Sequence, residues 1–235
     1  MSLAHPRRRQ LALAAAGAVF LAWCLWTCVV RGLADAHYTQ ARLLLGTPVL
    51  LGTVTEDRPA PAPARVTAAR AHLRSALALE PDNPHFVEQF ARVEEMRALA
   101  LAPAEAGRRQ ALRQSAAAFR LAARMRPGSS YTWADLARVK FRMDDMDFEF
   151  FGALERAARL GPWEGPVQLA LVDVGLASWR FLPSAAMPLV AGALDRALLH
   201  QAHAVGKLAA AHGSLPQVCA RSGLPSRLAA ACVRK

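Results

Sequence analysis

The sequence predicts an all-α protein in which an N-terminal transmembrane helix is followed by an α-solenoid of stacked helix pairs. Three observations carry that reading. A long run near the N-terminus has no charge, and apolar residues beyond it recur at helical rather than strand spacing. Ala-rich helical segments also close on a proline before a new amphipathic segment begins. With 235 residues, 54% of them hydrophobic, the chain is too apolar for disorder and long enough for one sizeable core or a short array.

The first element is the anchor. Between Arg9 and Arg31 lies QLALAAAGAVFLAWCLWTCVV, without a charge. Leu11 to Val30, at about 1.5 Å per residue, spans roughly 30 Å, the thickness of the hydrocarbon layer. Arg7, Arg8 and Arg9 precede the run, and Trp23 and Trp26 lie toward its far end. The positive-inside rule then keeps the N-terminus in the cytoplasm and exports everything after Arg31. Ala34-Asp35-Ala36 has the small-x-small pattern of a signal-peptide cleavage site. The apolar run is longer than the about 7–15 residues usual before such a site, so the expectation is an uncleaved anchor. LLLGTPVLLGTV (Leu43 to Val54) is too short and too broken by Gly and Pro for a second crossing, and Pro166 to Trp179 carries Asp173.

GLADAHYTQARLLL continues the anchor as a juxtamembrane helix, and the four prolines of TEDRPAPAPA (Thr55 to Ala64) read as a semi-rigid linker. The domains expected are therefore 1–31 (cytoplasmic stub and anchor), 32–64 (juxtamembrane helix and linker) and 65–235 (exported helical domain). ALALEPDNP, RLAARMRPGSS and ERAARLGPWEG each end an Ala-rich helix, and their prolines Pro81, Pro127 and Pro162 are 46 and 35 residues apart. A two-helix unit recurring near 34 residues is the mark of tetratricopeptide repeats, which this chain resembles from about Arg65 to Gln201. SSYTWADLARVK resembles a first repeat helix, with Trp133 and Leu136 at the large positions and Ala137 at the close crossing. DFEFFGALERAARLGP resembles the second. One pair cannot bury its apolar face alone, so neighbours stack and share a core.

YTWADLARVKF, followed by DFEFFGALERAARLGPWEGPVQLALVDVGLASW, resembles the VpsP-type proteins of bacterial exopolysaccharide loci. The LGPWEGPVQLALVDVGLASW element is the more telling part, because generic tetratricopeptide repeats lack it. The resemblance implies a single-pass inner-membrane protein with its bulk in the periplasm. It also implies a non-enzymatic accessory in polysaccharide assembly or export, with proteins of such a complex as partners.

The formal charge is +11, and among 29 basic residues only Lys140, Lys207 and Lys235 are lysine. Such a field attracts anionic polymers or lipid headgroups, although an Ala- and Arg-rich composition also follows from a GC-rich genome. An anionic polysaccharide held on an arginine-rich face is the alternative to a protein partner. No nucleic-acid motif is present, and no nucleic acid is expected as a partner.

No residue set suggests catalysis, a cofactor or a metal. His200, His203, His212 and Cys219 are loosely spaced for zinc, and the bland reading is surface histidines. Asp144 to Glu149 alternates carboxylates as calcium loops do, but Phe150 stands where such a loop needs Gly. The acids are better placed to open the next helix, and Ser129 and Ser130 read as helix-start caps. Cys24 and Cys28 share a face of the anchor as small packing residues. Cys219 and Cys232 are expected to form a disulfide in an oxidising compartment. First helices line the concave groove of tetratricopeptide arrays. Setting Val87 and Trp133 in equivalent slots puts His85, Arg92, Tyr131, Arg138, Phe141 and Arg142 there as the candidate partner-binding face. Arg92 and Arg138 would then present guanidinium groups to a partner's carboxylates.

Overall fold

The structure is a computed structural model that describes residues 4–46, 61–220 and 232, with side chains from Gln10 onward. Most of the expected proline linker, residues 55–60, and the Arg7 to Arg9 side chains lie outside the described residues. So does most of LLLGTPVLLGTV. Among the described residues every regular element is helical. In chain order these are α1 (Ala4–Leu45), α2 (Pro63–Leu79), α3 (Pro84–Leu99), α4 (Ala106–Met125) and α5 (Ser130–Arg142). Then come α6 (Phe148–Leu160), α7 (Gly165–Ala177), α8 (Met187–Ala211) and α9 (Leu215–Cys219).

The starts and stops follow local chemistry. Asn83 caps α3 by accepting from the His85 N–H at 3.1 Å, and Pro84 fills the first turn, where no N–H is needed. Ser129 caps α5 through Thr132 N–H, and Asp147 caps α6 through Phe150 N–H at 3.0 Å. The acidic loop before α6 therefore opens that helix, as read from sequence. It also encloses a cation of the chain's own. The Lys140 ammonium, on a residue 1% exposed, lies 2.8 Å from Asp145, 2.8 Å from Asp147 and 2.9 Å from Glu149. Burial would lower the Lys140 pKa, but hydrogen bonds to those three carboxylates push it up to about 12.

α1 is long and apolar enough to cross a membrane, with Leu11, Phe20, Trp23 and Trp26 all exposed. At about 1.5 Å per residue its 42 residues reach about 63 Å, twice a bilayer's hydrocarbon core. The outer half has a different task. Ala34 is buried with Ala76 and Phe86, and Ala41 with Val66, Ala69, Leu73 and Val93. The stretch expected as a juxtamembrane helix is helical and also contributes to the folded core, because small residues at 34 and 41 let α2 approach closely.

The remaining helices pack in sequence order. α1 lies against α2, α3 against α4, α5 against α6 and α7 against α8, while α2 meets α3, α4 meets α5 and α5 meets α7. The contacts run antiparallel in α1–α2, α3–α4 and α7–α8, as where Ser115 meets Ala91 and Arg108 meets Ala98. A main core runs from α3 to α9 around Phe119, Leu136, Phe150, Leu154, Leu171 and Leu194. Full burial of each such side chain contributes about 1.5–3 kcal/mol. Gly175 is where α7 and α8 cross most closely, since a Cβ there would sit 2.3 Å from Val190. α9 is the last helix among the described residues, and its Cys219 is disulfide-bonded to Cys232 with their Cα atoms 5.7 Å apart.

Candidate functional site

Of the six residues expected to line a groove, Arg92, Arg138 and Arg142 lie at the seam between α3 and α5. Glu88, Arg92 and Glu95 recur four and three residues apart on α3, and Asp135, Arg138 and Arg142 recur three and four apart on α5. Both sets form helical stripes, and the stripes carry opposite charges. Burial brings them together.

Arg138 is 2% exposed, and its fork is fully used. Its Nε donates to Glu95 Oε1 at 2.9 Å, Nη2 to Glu95 Oε2 at 2.7 Å and Nη1 to Asp135 Oδ1 at 2.6 Å. Arg92, 6% exposed, donates through Nε to Asp135 Oδ2 at 2.9 Å. Arg142 also pairs with Glu95. Glu88 accepts from Thr132 and pairs with Arg126, extending the network to the α4–α5 turn. Burial by itself would raise the Asp135 carboxyl. The Arg138 and Arg92 guanidiniums outweigh that and hold it below the ordinary carboxylate range.

These positions correct the expected groove. Arg138 does hold a carboxylate in the forked manner anticipated and Arg92 holds one through a single oxygen, but the carboxylates are the chain's own Glu95 and Asp135. The reason is physical. Guanidinium groups facing two buried acids across a helix seam pair with them, because an unpaired buried charge costs far more than a paired one. The other three residues are likewise occupied. His85 Nε2 lies 2.7 Å from the Tyr38 hydroxyl on α1, and burial pulls the His85 pKa down. Tyr131 donates to Glu164 Oε2 at 2.6 Å, and that bond pushes its pKa up to about 12. Phe141 packs against the main core.

Sequence reasoning missed the acids. Glu88, Glu95 and Asp135 are each no more than 3% exposed, and the signal that could have found them is the complementary charge of the two stripes. A fourth buried acid, Glu94, is held by Arg70 of α2 and by Arg97 of its own helix. This face is therefore a buried ion network that ties α3 to α5, not an open surface. His212 and Cys219, weighed above as metal ligands, are occupied too: His212 Nε2 lies 2.7 Å from Asp173 Oδ1, and Cys219 is in the disulfide.

Surface outside α1 still carries large exposed apolar side chains. Phe148 is 97% exposed, Trp163 80% and Phe181 69%. They sit at the start of α6, in the α6–α7 turn and after α7. No protein-family model matches this chain, and no curated protein matches it.

Proposed function

We propose that the protein is a non-enzymatic, membrane-anchored scaffold. Its tetratricopeptide-like helix pairs hold partner proteins of a bacterial exopolysaccharide assembly or export complex. The observation that carries this reading is the double use of α1. Its inner half is an exposed apolar helix of membrane-spanning length, and its outer half is core to the helical array. A helix shared in this way transmits the orientation of the bilayer to the array, which suits a platform more than a flexible tether.

Three further features support it. Ala34 is fully buried inside a continuous helix, a poor substrate for cleavage after Ala36 and consistent with a retained anchor. The order of helix contacts, each pair meeting the next, suits stacked repeats. The polysaccharide context rests on the resemblance of the α5–α7 sequence to VpsP-type proteins. Arg92 and Arg138 are buried against Asp135 and Glu95, so the alternative of an anionic polymer would draw on other arginines. Partner contact falls instead to exposed side chains such as Phe148, Trp163 and Phe181.

Affinity isolation from solubilised membranes, with and without polymer synthesis, tests the reading. The same protein partners recovered in both states support a scaffold. Recovery that depends on polymer, with no protein partner, refutes it.

A further inference from the structure

A cleft of about 680 Å³ lies where α1 leaves its uncharged run. Its walls are of two kinds. Trp26 and Val30 belong to the apolar stretch, whereas Arg31 and Asp35 on α1 and Glu80 and Asp82 on the α2–α3 turn are charged. The level of that turn is fixed by the helix register. His37 meets His72 with Nδ1 atoms 3.1 Å apart, Ala34 packs with Ala76, and Arg31 reaches Glu80 at 3.6 Å. The α2–α3 turn is thereby held beside the first charged residue after the apolar run.

An apolar wall passing into a charged one matches a phospholipid at the depth where acyl chain gives way to headgroup. The charges narrow the headgroup. One guanidinium, 77% exposed, is suited to a phosphate oxygen. Three carboxylates around it need a cation and repel a headgroup that is only anionic. Glu80 is oriented by the Asn83 side chain, which donates to Oε2 at 2.8 Å. Its ion pair with Arg31 is long and solvated, so little is lost when a ligand separates the two.

We propose that this cleft binds the headgroup of phosphatidylethanolamine, with the phosphate on Arg31 and the primary ammonium among Asp35, Glu80 and Asp82. The inference rests on the reading of α1 as a bilayer-spanning anchor. A lipid bound there joins α1 to the α2–α3 turn and sets the tilt of the helical array on the membrane.

The test is native mass spectrometry of the full-length protein released from nanodiscs holding equal amounts of phosphatidylethanolamine and phosphatidylglycerol. The expected result is several-fold enrichment of phosphatidylethanolamine on the protein. Glu80→Gln with Asp82→Asn should bring the ratio to parity with helicity unchanged, since the amide oxygen that Glu80→Gln introduces can still accept from Asn83. Arg31→Ala should lower retention of both lipids. Equal retention by the unaltered protein, or enrichment untouched by these substitutions, overturns the headgroup site while leaving the anchor standing. Full-length protein that stays in solution without detergent or lipid overturns the anchor and the site together.

Discussion

Replacing Arg138 by Met is the sharpest probe of the α3–α5 seam. Met keeps most of the side-chain length but removes three donated bonds, two to Glu95 and one to Asp135. Each acid keeps one other guanidinium, Arg142 for Glu95 and Arg92 for Asp135. Both are nonetheless left short of a buried partner. Breaking a buried pair from one side costs about 3–5 kcal/mol, and in a protein of this size each kcal/mol lowers Tm by about 2–4 °C. Full-length protein in detergent, melted by circular dichroism, should therefore lose about 10 °C or somewhat more. Combining Arg138→Met with Glu95→Met should recover part of the loss, because fewer charges are then stranded. The double reversal Arg92→Glu with Arg138→Glu would set four carboxylates against each other and should prevent folding. If Arg138→Met melts within about 1 °C of the parent, the seam is not a buried ion network and the reasoning fails.

Four smaller tests address other parts of the fold. Gly175→Ala should destabilise by about 1–3 kcal/mol through overpacking, because its Cβ meets Val190, and Val190→Ala should relieve the clash; equal melting of all three proteins would contradict the close crossing. Intact mass without reductant should show Cys219 and Cys232 joined, and reduction should cost about 3 kcal/mol on the chain-entropy account. The His212 pKa is raised by its bond to Asp173, so its stabilisation is complete below about pH 6.5 and fades as pH rises through the higher folded value; His212→Gln should flatten the melting profile there. The Asp135 carboxyl is held low, so its contribution persists at neutral pH and disappears only as pH falls below about 4, which acid titration of the melt would register.

The long apolar helix, the helical class and several helix ends were legible because each has a local cause: an uncharged run, a capping side chain, or a proline that forbids continuation. Leu136 and Ala137 were readable as core for the same reason. The polar side of α5 was not, because amphipathic reasoning assigns charge to solvent, whereas Asp135, Arg138 and Lys140 are buried by partners beyond their own helix. Lys140 meets acids five to nine residues ahead, and Arg138 meets Glu95, which lies 43 residues away. The outer half of α1 was readable as a helix but not as core, for a related reason. Its Ala, His and Tyr residues form a weak stripe, and only α2 and α3 reveal what that stripe is for.

A scaffold held rigidly on the bilayer requires α1 to be both anchor and core. Hydrogen–deuterium exchange of the full-length protein in nanodiscs measures this directly at residues 32–45, beyond the uncharged run. Protection there equal to that of α3 is the predicted result. Exchange as fast as that of an isolated helix in water would make α1 a loose tether and contradict the account.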